Sequence, residues 1–230
     1  HTVRDVSELF DEIKRDLNMS THQSKRNRKK KKTSKETSPD EKDLNDAYAI
    51  KTPEDSIKLY RVWASTYDKD FAKKNDYRSP FEIANFFEKY SNKNDVPILD
   101  VGSGTGLVAE CLQSKNIQNI DAIDISPESH KIAKSKNLYC NLIEADLTKD
   151  LNIENDSYGA IVSAGTFTHG HIGPDALNEL IRITKPNGLF VITIHSKLFK
   201  NARFDNKFFE IKHKITKPNF HEVKAYGNNQ

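Results

Sequence analysis

Near the start of the chain, apolar residues recur at Val3, Val6, Leu9, Phe10, Ile13 and Leu17, with Asp5, Glu8, Asp11, Glu12 and Asp16 between them. This spacing predicts an amphipathic helix within residues 1–18. The stretch SKRNRKKKKTSKETSPDEK, residues 24–42, has no aliphatic or aromatic side chain to bury. It predicts a disordered basic linker over 19–43, leaving a folded domain over 44–230. Residues 53–73 predict a helix opened by Pro53, Glu54 and Asp55. Phe81, Ile83, Phe86, Phe87 and Tyr90 predict a second helix after Ser79-Pro80.

Strand-like and helix-like patterns alternate from Pro97 onward. Strands are expected at 98–101, 120–125, 141–145, 158–164 and 189–195, and helices at 107–115, 127–136 and 174–184. Strands separated by single helices, without hairpin signals, predict an α/β fold with a doubly wound, mostly parallel sheet. The first and only methionine is Met19, so the chain is expected to be a fragment or to carry residues 1–18 upstream of the start.

Composition changes this picture in one respect. Residues 20–42 hold nine Lys/Arg against three Asp/Glu, a net of +6 within a whole-chain charge of +3, so the remainder is acidic by 3. The basic character belongs to the linker. The run Lys25-Arg26-Asn27-Arg28-Lys29-Lys30-Lys31-Lys32 fits nuclear targeting or weak non-specific nucleic-acid binding as well as a solvated tail. It has no interleaved aromatics for base stacking, so sequence-specific binding is not expected. No apolar run is long enough to span a membrane. Cys111 and Cys140 are too few for a disulfide scaffold, and a reduced, cytoplasmic setting is expected.

Chemistry concentrates in ILDVGSGTG, residues 98–106. Glycines after a buried strand let a ligand approach the backbone, and the following helix offers free N–H groups to an anion. A dinucleotide fingerprint would need glycine at Leu107; here Gly102, Gly104 and Gly106 are spaced by two. Asp100, just before the loop, would oppose a pyrophosphate but suits a ligand carrying an ammonium group, such as S-adenosylmethionine. Asp124 ends the second predicted strand, where a carboxylate can accept from ribose hydroxyls. Ile125 is placed to pack on adenine, and Asp146 to face its amino group or simply to cap a strand.

The segments DVGSGTG, AIDIS, EADL, YGAIVSAG and ITKPNGLFVIT, in this order, resemble the successive motifs of class I S-adenosylmethionine-dependent methyltransferases over roughly residues 95–195. LYRVWASTYDKDF at 59–71 and GTFTHGHIGPDALNELIRITKPNG at 165–188 resemble the Williams–Beuren-region methyltransferase-like family more narrowly. The resemblance implies a Rossmann-like fold, S-adenosylmethionine as cofactor, and a site on Asp100, Gly102, Gly104, Gly106, Asp124, Ile125 and Asp146. It also implies that Ala164 and Gly165 lie near the methionine amino group, with Tyr67 in a lid. Asn187 departs from the family's usual glycine, a change that a left-handed turn tolerates. The resemblance also implies a helix and then an antiparallel two-strand extension after the fifth strand, for which residues 204–215 would supply the helix and 219–226 one strand. Little chain is left for the last strand before Gln230, so a truncated C-terminal extension is expected.

The expected reaction is methyl transfer to an unidentified acceptor, a small molecule before a protein side chain. His169 is the candidate general base, with His171 beside it. No metal site is expected: His169, His171 and His195 lack an acidic or cysteine ligand at a recognisable spacing. The absence of an Asn/Asp-Pro-Pro-Tyr segment argues against a flipped nucleobase as acceptor. Two alternatives stay open: a catalytically silent methyltransferase-like binding module, and a nicotinamide-dependent oxidoreductase, which Leu107 and Asp100 disfavour.

Overall fold

Prolines help set where two helices begin. Pro80 lies in the first turn of α1 (Ser79–Tyr90) and Pro127 in that of α3 (Pro127–Ser135), positions where a missing N–H loses no helical bond. In the computed structural model the described residues are 75–168 and 172–227, together with 52, 55, 57–59, 61, 64 and 67–73. The expected helix at 1–18, the basic linker, Trp63, His169 and His171 lie outside them. The remaining elements are β1 (Ile98–Val101), α2 (Leu107–Gln113), β2 (Ile120–Asp124), β3 (Leu142–Glu144), β4 (Tyr158–Phe167), α4 (Ala176–Ile183), β5 (Thr184–Ile194), α5 (Ser196–Asn201) and α6 (Phe204–Glu210).

The five strands form one parallel sheet in the order β3-β2-β1-β4-β5. Alternation along each strand divides the core between its two faces. Ile98, Ile120, Ala160 and Val162 pack with Ile83, Ala84 and Phe87 of α1 and with Val108, Ala109 and Leu112 of α2. Leu99, Val101, Ile123 and Ile161 point the other way, into Leu177, Leu180 and Ile183 of α4, Leu198 of α5 and Phe204 of α6. Helices thus cover both faces, as the doubly wound expectation requires. The chain moves from β1 to β2 and β3 on one side and to β4 and β5 on the other. The switch point therefore lies at the carboxyl ends of β1 and β4, where such sheets bind ligands.

Three expectations need correction. Residues 53–73 do not form one regular helix: Ala64 is in a turn, and Tyr67–Lys73 form a π-helical segment whose Asp68 carboxylate is held by Thr105 and Lys136. The helix expected over 204–215 ends at Glu210, and α5 precedes it after a break at Arg203, whose φ is 60°. The strand expected over 219–226 is absent; only Tyr226 makes an antiparallel bridge, to Tyr77. Arg78 N–H donates to Ala225 C=O at 2.8 Å and Gly227 N–H to Asp76 C=O at 2.9 Å, so this segment bonds beside α1 and β5 stays at the sheet edge. A smaller difference is that β5 begins at Thr184. Asn187 adopts φ 64° there, and the pairing with β4 skips between Thr184 and Leu189.

Candidate functional site

β1 leaves the sheet at Val101, and its last carbonyl accepts from two hydroxyls of β4: Ser163 Oγ at 2.7 Å and Thr166 Oγ1 at 3.0 Å. That close approach requires Gly102. It has φ +64°, and a Cβ there would overlap the Thr166 side chain. Gly102 N–H and Ser103 N–H both donate to Ile123 C=O of β2, at 2.8 and 3.2 Å. Around Gly104 the space that a Cβ would enter is open.

Asp124 closes the loop from the other side. Its Oδ2 accepts Gly104 N–H and its Oδ1 accepts Ser126 N–H, each at 2.8 Å. One lone pair per oxygen remains for a ligand hydroxyl. Ser126 then caps α3, its Oγ accepting Ser129 N–H at 3.2 Å. His130, one turn along, has its imidazole held below the usual range by burial, partly opposed by Asp124 and Glu144.

Asp100 is the centre of the site. It is fully buried, its Oδ2 accepts the Tyr139 hydroxyl at 2.7 Å, and its Oδ1 has no partner. Burial pushes its carboxyl up to about 7, the Tyr139 hydrogen bond pulls the other way, and the Asp124 charge adds to the rise. Ser103 Oγ, in the same loop, is also buried without a partner. A buried anionic acceptor and a buried hydroxyl, each with capacity left, complement the ammonium and carboxylate of an amino-acid moiety. The residues present therefore fit S-adenosylmethionine, and Asp100 fits a pyrophosphate poorly.

The other predicted residues fall around this centre. Ile125 is half-buried directly after Asp124. Asp146 lies two residues beyond β3, where its Oδ1 accepts both Thr148 N–H at 2.9 Å and Thr148 Oγ1–H at 2.6 Å. These bonds and Lys149 hold its carboxyl below the usual range against the effect of burial. Ala164 and Gly165 are half-buried near the end of β4, Gly165 with φ +77° and the Tyr77 hydroxyl close above it. Tyr67 is half-buried in the π-helical segment.

Sequence reasoning missed two groups. Tyr139 lies between α3 and β3, where no periodicity marks it. Asp68 follows Tyr67, and its carboxylate accepts Thr105 Oγ1–H from the glycine loop and pairs with Lys136, both at 2.5 Å. Lys136 also pairs with Glu110 at 2.9 Å. The clue to Asp68 was its place in LYRVWASTYDKDF.

Residues 99–192 match the family described as Methyltransferase domain. Human Methyltransferase-like protein 27 is 29% identical over 150 residues, which cover 64% of this chain and 60% of that protein. Ubiquinone biosynthesis O-methyltransferase of Rickettsia prowazekii (strain Madrid E) is 31% identical over 134 residues, covering 56% of this chain and 52% of the relative. The chain therefore spans about half to three-fifths of the length of these curated relatives. Among solved structures, the [4+2]-cyclase SpnF shares the fold with a TM-score of 0.50 and 18% identity, over 63% of this chain and 61% of that one. Strand order, a glycine loop at the switch point and the match over residues 99–192 together give this chain the Rossmann-like fold of class I methyltransferases.

Proposed function

We propose that the chain is an S-adenosylmethionine-dependent methyltransferase acting on a small-molecule acceptor. The observation that carries the reading is Asp100 Oδ1, a buried carboxylate oxygen without a partner at the switch point of the sheet. Asp100 would hold the α-ammonium group, Asp124 the ribose hydroxyls and Ile125 one face of adenine, with Asp146 beside its amino group. Of the loop glycines, Gly104 leaves the backbone open to the ligand, while Gly102 and Gly106 shape the loop by making room for Thr166 and for Leu138 and Tyr139. Ala164 and Gly165 border the methionine end, and Tyr67 belongs to the segment latched to the loop through Asp68.

When bound, the cofactor supplies a methyl group already activated on a sulfonium. The protein's own task is to orient the acceptor and exclude water, an effect of order ~7–11 kcal/mol. His169 is the candidate for taking a proton where the acceptor's attacking atom carries one. A small-molecule acceptor is supported by the relative named for O-methylation in ubiquinone biosynthesis. Fold alone does not choose the reaction, since SpnF shares it and is named as a cyclase.

Titration calorimetry with S-adenosylmethionine, S-adenosylhomocysteine and NAD tests the reading. Both sulfur nucleosides are expected to bind at micromolar Kd, and Asp124→Ala to weaken them tenfold or more, about 1.5–3 kcal/mol for hydrogen bonds to a charged group. Binding of NAD alone would overturn the assignment. Binding without turnover across an acceptor screen would favour the silent module.

A further inference from the structure

Tyr139 reaches Asp100 because Gly106 has no side chain. A Cβ on Gly106, whose φ is +96°, would lie 3.2 Å from Leu138 Cδ1 and 3.3 Å from Tyr139 Cε2. The displaced third glycine thus admits the Leu138-Tyr139 pair from the α3–β3 connection, which the helix–strand packing of a dinucleotide loop does not require. Inside, the Tyr139 hydroxyl fixes one Asp100 oxygen and leaves the other bare.

The charged and titratable surroundings of this pair are few. Asp124 faces it from β2, Cys111 and Glu110 from α2, and Lys136 reaches Glu110 and Asp68 rather than Asp100. On the β4 side, Val162 pairs with Asp100 in the ladder, and Ser163 and Thr166 bond to Val101. No salt bridge to Asp100 exists among the described residues.

We propose that Tyr139 is a positioning residue: its hydroxyl holds the Asp100 carboxylate so that Oδ1 meets the ammonium of the cofactor's amino-acid moiety, and it sets the pH at which that moiety binds. The proposal rests on the S-adenosylmethionine reading. Asp100 titrates at about 7 in the free protein, while burial and the nearby Asp100 charge keep the Tyr139 hydroxyl protonated well beyond that. Well below pH 7 a proton must therefore leave Asp100 for solvent as the ammonium arrives, approaching one proton per nucleoside bound.

The test compares S-adenosylmethionine with 5′-methylthioadenosine, which has the same nucleoside but no ammonium. Calorimetry at pH 5.5–7.2, in buffers of different ionisation enthalpy, stays below the titration of the ligand's own amine. S-adenosylmethionine affinity is expected to rise nearly tenfold per pH unit at the acid end, with proton release, while methylthioadenosine affinity stays flat. Tyr139→Phe removes a bond that lowers the Asp100 pKa. It should shift the rise to higher pH and weaken S-adenosylmethionine about tenfold at pH 7, leaving methylthioadenosine unchanged.

Equal loss of both nucleosides in Tyr139→Phe, with far-UV circular dichroism intact, would reduce Tyr139 to packing and overturn the proposal. If that variant does not fold, Asp100→Asn decides, because it keeps an acceptor for Tyr139. Loss of the pH slope supports the linkage, and its survival refutes it. A wild-type protein that binds neither nucleoside removes the cofactor reading itself. One that binds both with no pH slope spares that reading and defeats only this inference.

Discussion

Replacing Asp100 with Asn should change the pH dependence of stability in a direction opposite to the usual buried ion pair. The carboxyl's ordinary value is 3.8, and burial pushes it up to about 7 in the fold. A folded-state pKa above the unfolded one means that the neutral acid is favoured in the native protein. Its stabilising effect is full below about pH 3.8 and is lost as pH rises to about 7. Between pH 5 and 7 the wild type therefore loses about 2 kcal/mol through this residue, the slope falling off as the pH nears 7. Asn cannot titrate, keeps an acceptor for the Tyr139 hydroxyl and fills the same volume. It leaves an amide N–H₂ where Oδ1 was, a cost of about 1–3 kcal/mol, but that cost is the same at every pH. Urea denaturation of both proteins at pH 5 and pH 8, without nucleoside, isolates the effect, because other groups cancel between variants. The stability of Asp100→Asn relative to wild type should improve by about 2–3 kcal/mol from pH 5 to pH 8. A difference that stays constant across that range would refute the assignment of Asp100 as a buried, poorly solvated acid.

Two further outcomes follow from the same network and its surroundings. Asp68→Asn removes the charge that Thr105 and Lys136 share, a partly buried bond set of about 1–3 kcal/mol. Amides of Tyr67–Lys73 should exchange hydrogen faster and S-adenosylmethionine should bind about three- to tenfold more weakly, whereas unchanged protection would show that the latch is idle. On the opposite face, Arg182 bonds Glu179 and the carbonyls of Leu151 and Ile153, pinning the loop before β4 to α4. The Arg182 hydrogen bond holds the Glu179 carboxyl down at about 2. A depressed acid stabilises above its unfolded pKa near 4.5 and loses that effect as pH falls towards 2. Arg182→Gln should therefore cost about 1 kcal/mol at pH 6, after solvent screening, and should close on wild type near pH 2. A gap that persists at pH 2 would assign the effect to the backbone carbonyls.

The strands were legible because each is an apolar run ended by a turn residue, and a parallel sheet buried on both faces needs little else. Asp100, Asp124 and the three loop glycines were legible because their positions relative to the strand ends carry their meaning. Tyr139 was not: it is one aromatic in a connection, and its importance comes from a gap at Gly106 visible only when α2 and the α3–β3 connection are set against each other. Residues 219–226 failed in the opposite way. The family's fold suggested a strand there, but a strand needs an edge, and the backbone hydrogen bonds at the end of this segment go instead to residues 76–78. Asp68 was masked by its helical surroundings, since only the π-helical turn reveals that its carboxylate is committed to the glycine loop.

The choice between a working transferase and a silent module also has a physical side. Asp100 costs stability at neutral pH in the ligand-free protein, and Ser103 Oγ and Asp100 Oδ1 are both buried without partners. A fold used only for its outer surface would be more stable with apolar groups at these two places, because an unpartnered buried polar group costs about 1–3 kcal/mol. A bound amino-acid moiety offsets both costs at once, with an ammonium on one atom and a carboxylate on the other. The strain therefore argues for a ligand at the switch point. It does not by itself argue for turnover, which depends on what stands beyond the end of β4, where Gly165 and the Tyr77 hydroxyl meet and Tyr226 packs against Tyr77 with ring centroids 5.4 Å apart. An acceptor's approach to the methyl-bearing end of the cofactor past these two rings is a proposal open to test. Enlarging the passage with Tyr226→Ala should alter acceptor KM while leaving S-adenosylhomocysteine affinity within about twofold. Equal effects on both would place Tyr226 in the cofactor site and leave the acceptor's route elsewhere.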